Sequence, residues 1–370
     1  MPVTVRSFAK INLGLRIGPL RPDGFHELRT VYQTIALHDI VRVKVERGTG
    51  IKIRCEDPRV PKDESNTCYR IVEHAMDVLK VRGRAIIEIE KWLPVQGGLG
   101  GASGNAVAAL LALERVLKKE LPGCERLRIA AEVGSDLPLF LVGGTVLGVG
   151  HGEEVYPLPE LPPVPCVVAL PDVAVSTPKA FAEWDAKFGR NYQDCHSESA
   201  SADEESAVAR QRRKADSSGD KSPLGMTKGS GISKLTPHAP SDRMLEFSRM
   251  VSAWLSAQPK GKSLSGVPAR GRGRAETPLL DLVRTGIEND FEQVVFPQYP
   301  ELREVKRALE RAGAFYASLS GSGSVVYGLF TGRAAAEKAS ARLRKMGVEA
   351  RATTTLTRGQ YWRKFLVSSF

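Results

Sequence analysis

The chain has 370 residues, 42% of them hydrophobic and 26% charged, and carries a formal net charge of +11. That length holds two domains with ample core, no apolar run approaches the roughly 20 residues of a membrane span, and the N-terminal MPVTVRSFAKINL lacks both the apolar stretch and the cleavage pattern of an export signal. The five cysteines are odd in number, scattered and never in CxxC, which excludes a disulfide framework and a zinc site and predicts a cytoplasmic protein.

In chain order, TVRSFAKINLGLRIG reads as a strand on which Lys10 and Asn12 share a face. Alone, Lys10 reads equally as an edge-strand charge. Pro22, Asp23 and Gly24 form a turn, Phe25 and His26 follow it, and Ile40 to Val45 is a strand. A Phe–His pair by itself is ordinary packing.

The stretch from Leu93 to Lys118, LPVQGGLGGASGNAVAALLALERVLK, holds five glycines in eight residues ahead of an apolar run with helical spacing. Glycines let successive amides converge on an anion, and the first turn of the following helix adds unsatisfied N–H groups and a positive dipole end. A glycine loop into a helix is therefore a candidate phosphate cradle. No lysine follows the glycines as in GxxxxGK[ST], and no VAIK or HRD set is present, so its cations must come from elsewhere.

Beyond the loop helix, Pro122 and Gly123 break the chain before a short helix from Glu125 to Val133. Asp136 then stands alone after Gly134 and Ser135, ahead of the apolar LPLFL, where by itself it reads as a helix-start residue. Two strands flank Gly150 to Gly152, with His151 in the turn and no role assigned to it. CVVALP, 166–171, opens the second domain as a buried strand, and Pro178 to Phe188 is a helix.

Residues 190–276 are rich in Ser, Gly and charge, with DEE at 203–205, RQRRK at 210–214 and ARGRGR at 269–274. Residues 196–275 hold fourteen Lys/Arg against eight Asp/Glu, so +6 of the +11 lies there. The smaller excess elsewhere suits an enzyme handling phosphorylated ligands and needs no polyanion partner. Within the segment, Met244, Phe247, Val251, Trp254 and Leu255 share one face of a predicted helix over 242–257. The chain closes with a helix from Leu302 to Ala312, a strand, loop and strand through LSGSGS, a helix from Arg333 to Met346, a last strand VEARATTT, and a tail YWRKFLVSSF that reads as a surface appendage able to cover an apolar patch.

With AKINLGL, RPDGFHEL, EKWLPVQGGLGGASGNA, GSDLPLFL and LSGSGSVVY in hand, the chain resembles the GHMP kinase superfamily over about 1–190 and 276–356. The resemblance implies a two-domain α+β fold: an S5-like βα domain over 1–160, a ferredoxin-like domain over 161–370 interrupted by the 190–276 insertion, and a cleft between them. AKINL and DGFHEL narrow the implied reaction to ATP-dependent phosphorylation of the 2-hydroxyl of 4-diphosphocytidyl-2-C-methyl-D-erythritol, on the non-mevalonate route to isoprenoid precursors.

Residue by residue, it implies Lys10 and Asp136 as the catalytic pair, with Asp136 accepting or orienting the substrate hydroxyl proton and Lys10 stabilising charge. Pro94, Val95, Gly97, Gly98, Leu99, Gly100, Gly101, Ala102, Ser103, Gly104 and Asn105 would wrap the ATP phosphates, with Asn66 and Lys91 near the nucleotide. Asn12, Phe25, His26 and Thr177 would face the substrate, Phe25 stacking on its cytosine. Mg²⁺ would travel with ATP, held mainly by phosphates, with no protein metal site. A small-molecule substrate is the only partner implied, nucleic acid and membrane are not expected, and the oligomeric state is left open. Phe25 stands where the superfamily branch usually has Tyr, a lost hydroxyl contact of about 0.5–1.5 kcal/mol. Ser103 and Gly104 replace a usual pair of serines, which leaves Ser103 as the surviving hydroxyl.

Overall fold

The structure is a computed structural model that describes residues 1–188 and 287–367. The segment 190–276 and the helix expected over 242–257 lie outside the described residues.

Two long strands organise the molecule. β1, Val3–Leu20, turns at 21–25 and returns as β2, His26–Glu46, paired antiparallel from Val3↔Val43 to Leu20↔His26. The expected Ile40–Val45 strand is thus the far end of a much longer one. The other edge of β2 is shared by β4, Arg84–Glu90, along residues 40–46 and by β5, Thr145–Val149, along residues 30–33. β3, Ile51–Cys55, runs parallel to β4, and β6, Glu154–Pro157, antiparallel to β5.

Four helices belong to this first body: α1, Thr67–Val78; α2, Gly101–Leu117; α3, Gly123–Val133; and α4, Leu137–Val142. Asn66 caps α1 by accepting from the Cys68 amide at 2.8 Å. All residues from Ala106 to Leu113 in α2 are buried, so this helix is surrounded rather than merely docked by one face.

The second body is a four-stranded antiparallel sheet of β7, Pro165–Leu170; β8, Tyr316–Leu319; β9, Val326–Leu329; and β10, Glu349–Thr354. Their order β10-β7-β9-β8 is the split βαβ arrangement of ferredoxin-like folds. α5, Thr177–Phe188; α6, Glu292–Gln298; α7, Pro300–Arg311; and α8, Arg333–Lys345 accompany it. The expected α+β architecture is observed.

β1 joins the two bodies. Val5 belongs to the core beneath α2, Ala9, Ile11 and Leu13 to a middle cluster with β7 and β9, and Leu15 and Ile17 to the core of the second body.

The tail covers an apolar patch as expected, but as a docked helix and not as a surface appendage. Residues Arg358–Phe365 form a helix, α9, with a capping box between Thr357 and Gln360. Tyr361 and Phe365 are buried, and the Tyr361 hydroxyl donates to the Phe140 carbonyl at 2.8 Å. Far from being an appendage, this helix crosses back to pack on the first body, because two aromatic residues four apart give it an apolar face that α4 and β1 cover.

Candidate active site

β1 places Lys10 and Asn12 side by side, as its two-residue period requires. The Lys10 ammonium donates to Asn12 Oδ1 at 2.8 Å and lies 3.2 Å from Asp136 Oδ2. Asn12 is oriented in turn, its Nδ2 donating to Thr30 Oγ1 and the Thr30 hydroxyl to the Gly14 carbonyl, both at 2.8 Å. Lys10 is only 3% exposed, so its charge depends on Asp136 for compensation. Asp136 sits at the N-cap of α4 but makes no side-chain cap bond. Its carboxylate is spent on Lys10 and on the Tyr32 hydroxyl, which donates to Oδ1 at 3.0 Å.

The glycine loop closes over this pair. Gly97, Gly98 and Gly100 all have positive φ, and Gly100 in the left-handed region starts α2. The Leu99 carbonyl accepts from the Lys10 amide at 2.9 Å, so Leu99 contributes backbone while its side chain is buried. The second glycine loop presses against the first: a Cβ on Gly98 would stand 2.0 Å from the Ser320 carbonyl oxygen, and the Ser320 hydroxyl donates to the Gly98 carbonyl at 2.9 Å. A Cβ on Gly321 would lie 3.7 Å from the Lys10 ammonium. Both loops therefore reach the Lys10–Asp136 pair, with the first-turn amides of α2 beside them.

Gly104 has a structural explanation. A Cβ there would face Ser7 Oγ at 2.9 Å and the Phe8 carbonyl at 3.0 Å, against β1. A side chain at 104 would point into the fold, and Ser103, half-buried, is the hydroxyl-bearing residue of that turn.

The nucleotide residues gather separately. Asn66, Lys91, Val95, Ala102 and Asn105 line one cavity of about 280 Å³, and Pro94 lines a neighbouring groove with Arg59 and Arg351. A residue missed in the sequence organises this wall. Asp39, fully buried on β2, accepts from the Lys91 ammonium, from Asn105 Nδ2 at 3.0 Å, and from the amides of Trp92 and Leu93 at 2.7 Å each. Lys91 also abuts the start of α2, 3.4 Å from where a Gly101 Cβ would be.

On the other side of the turn, His26 is buried with Nδ1 3.0 Å from the Gly18 carbonyl and Nε2 3.1 Å from Asp185. Its ring stacks on Phe181 of α5, centroids 5.1 Å apart and planes 5° from parallel. Phe25 is 58% exposed and packs on the His151 ring at 5.1 Å, so the turn histidine left without a role supports the aromatic expected to stack. His151 also pairs with Glu153 at 2.9 Å and lies 3.5 Å from Asp23. Thr177, at the start of α5, meets the Ser322 hydroxyl of the second glycine loop at 2.7 Å.

The structure thus brings Lys10, Asn12 and Asp136 into one cluster and Asn66, Lys91, Val95, Ala102 and Asn105 into one cavity, with Pro94 in the neighbouring groove, and gives Phe25 and His26 different neighbours, His151 and Phe181. Thr30, Tyr32, Asp39, Phe181 and Asp185 were not found from sequence. Only Asp39 carried a signal, as a charge inside the apolar strand IALHDIV.

Two glycine loops back to back, a buried Lys10 paired with a part-exposed Asp136, and a split βαβ second body agree with the GHMP kinase resemblance of the sequence. Models of that family match residues 66–144, as the N-terminal domain, and 276–349, as the C-terminal. The chain is 32% identical over 329 residues to the 4-diphosphocytidyl-2-C-methyl-D-erythritol kinase of Solibacter usitatus, covering 89% of this chain and 81% of that one. It is 31% identical to the enzyme of the same name from Acaryochloris marina, covering 92% and 91%. A crystal structure of 4-(cytidine 5'-diphospho)-2C-methyl-D-erythritol kinase superposes with a TM-score of 0.63 at 26% identity, over 95% of this chain and 98% of that one. The homoserine kinase of Cytophaga hutchinsonii, at 19% identity and a TM-score of 0.61, shares the fold. The chain belongs to the 4-diphosphocytidyl-2-C-methyl-D-erythritol kinase family of the GHMP kinases.

Proposed function

We propose that the protein transfers the γ-phosphoryl group of ATP to the 2-hydroxyl of 4-diphosphocytidyl-2-C-methyl-D-erythritol, releasing ADP, through Lys10 and Asp136. The observation that carries the site assignment is the 3.2 Å Lys10–Asp136 pair lying where the two glycine loops meet. Phosphoryl transfer asks a protein mainly for positioning and charge neutralisation, and this constellation supplies both. Asp136 accepts or orients the proton of the attacking hydroxyl. Lys10, held by Asn12, neutralises charge on the transferring group. Amides of the Gly97–Asn105 loop and the first turn of α2 cradle phosphate oxygens, while Asn66 and Lys91 bound the nucleotide cavity.

Magnesium fits as a companion of ATP. Among the described residues no group of three or more His, Cys, Asp and Glu is placed to hold a metal. Asn105 Oδ1, a buried acceptor with no donor, and Ser103 are the residues suited to the hydrated ion of Mg-ATP. When bound, magnesium would supply charge neutralisation to the phosphates of ATP. On the substrate side, Phe25 and His26 are assigned to the cytosine, Phe25 by stacking and His26 by hydrogen bonding through Nε2 in exchange for its contact with the exposed Asp185, and Thr177 is assigned to the substrate side of the site. The substrate is a small molecule, and the assignment to the cytoplasm rests on the scattered cysteines, odd in number. Among the described residues no helix is long and apolar enough to cross a membrane.

The test is ADP release with Mg-ATP against the cytidylylated methylerythritol, the uncytidylylated monophosphate, mevalonate and homoserine, with Asp136→Asn alongside. Turnover confined to the cytidylyl substrate and reduced by a factor of 100 or more in the variant is expected. Turnover on mevalonate or homoserine instead would overturn the substrate assignment.

A further inference from the structure

Tyr32 touches both members of the Lys10–Asp136 pair and has no part in the reaction as described above. Its hydroxyl donates to Asp136 Oδ1 at 3.0 Å while Lys10 approaches Oδ2 at 3.2 Å, so each oxygen of the carboxylate has its own donor. The Lys10 ammonium also lies 5.5 Å from the centre of the Tyr32 ring, within reach of the ring's negative face.

The fold has made room for this side chain. Tyr32 comes from β2 between β1 and β5, opposite Asn12 on one edge and Val146 on the other. A Cβ on Gly148 would stand 2.5 Å from its ring, and a Cβ on Gly152, 2.5 Å from its hydroxyl oxygen. Those two glycines, one within β5 and one in the β5–β6 turn, clamp the ring, which is 2% exposed. Packing alone would be served by phenylalanine, whereas burying a phenol oxygen costs free energy unless the oxygen is bonded. Here the partner is a carboxylate that is itself about one third exposed and could have been solvated by water. Burial, and then the Asp136 charge, hold the Tyr32 phenol well above its ordinary value, so it stays a donor wherever the enzyme works.

We infer that Tyr32 is a positioning residue for phosphoryl transfer: its hydroxyl pins one oxygen of the Asp136 carboxylate while Lys10 pins the other, fixing the orientation in which Asp136 meets the substrate hydroxyl. The inference rests on the reading of Asp136 given under Proposed function. Because Tyr32 acts through Asp136, its loss lowers kcat and leaves the binding of both substrates in place.

The experiment compares Tyr32→Phe, Asp136→Asn and the unaltered full-length enzyme by steady-state kinetics with Mg-ATP and the cytidylylated methylerythritol, with melting temperatures for each. Tyr32→Phe removes one oxygen and keeps the ring and its contact with Lys10. The expected result is a drop in kcat of about tenfold or more, the worth of one hydrogen bond to a charged group, with both KM values within about twofold. An unchanged kcat in Tyr32→Phe beside a collapse in Asp136→Asn overturns the role of Tyr32 and leaves that of Asp136. Full turnover in Asp136→Asn overturns the reading of Asp136 and the inference with it. A lower melting temperature with raised KM and unchanged kcat marks the hydroxyl as structural and overturns the inference as well.

Discussion

A carboxylate shut away from water must have its lone pairs filled by donors, and Asp39 meets that demand with an ammonium, a side-chain amide and two backbone amides. The four donors come from the loop after β4 and from α2, so one side chain of β2 pins both walls of the cavity proposed for the nucleotide. Replacing Asp39 by Ala leaves the Lys91 ammonium, 8% exposed, without its counter-charge. The expected cost is about 3–5 kcal/mol of stability, read by denaturant unfolding, with an increased KM for ATP from the loosened cavity. Asp39→Ala with unaltered stability would show that Lys91 finds another partner. The same logic applies at Lys10, whose buried ammonium is tolerated because Asn12 and Asp136 both face it.

Among elements, the two glycine loops depend on each other. The Gly98 carbonyl accepts from the Ser320 hydroxyl, Gly97 pairs with Ser324, and the Val325 amide donates to the Gly97 carbonyl at 3.2 Å. Gly98 has φ +82°, and its Cβ would meet a backbone oxygen, not the movable end of a side chain. Gly98→Ala is therefore expected to force the loops apart, costing about 1–3 kcal/mol or more and weakening ATP binding together with turnover. Calorimetric titration of ATP beside a thermal melt checks it, and wild-type values in both would mean that the loops separate freely. The α9 helix shows a second kind of dependence between elements: it follows the last strand of the second body yet joins the core of the first through Phe365, while Tyr361 packs on Phe8 and donates to the Phe140 carbonyl.

At the scale of the whole molecule, β1 passes through four apolar clusters, which couples the two bodies mechanically. The interior also fixes the response to alkali. Tyr32, Tyr327 and Tyr361 are fully buried and Tyr316 is partly buried, and burial pushes each phenol above its ordinary 10.0. Burial pushes the Cys68 thiol up to about 12 and raises that of Cys166. In the unfolded chain these groups lose their protons at ordinary values, so in alkali the unfolded state binds fewer protons than the native one and stability falls as pH rises. Their contribution is intact below about pH 9 and declines through the folded values, at about 1.4 kcal/mol per pH unit for each group. Melting temperatures level from pH 7 to 9 and falling steeply above about 10 are expected. A flat profile to pH 11 would mean that these side chains ionise without unfolding.

Local chemistry determined what the sequence could disclose. Glycines ahead of an apolar helix announce a candidate phosphate cradle within a few residues, whereas Lys10 and Asp136, which alone read as an edge-strand charge and a helix start, were singled out through the resemblance of several such short motifs, as was the two-body α+β fold. The alternation of apolar residues also placed most strands and helices of the second body to within a residue or two. Other features were decided only by tertiary structure. Tyr32 and Asp136 are 104 positions apart, and Asp39 and Lys91 are 52 apart. The pairing of β2 with β1, β4 and β5 decides which side chains meet, and one residue of slip would reverse every face. His151 behind Phe25, Phe181 on His26, and the docking of α9 depend likewise on how separate elements come together. A local pattern reports what a residue is able to do; its partner is settled by register and packing across the chain.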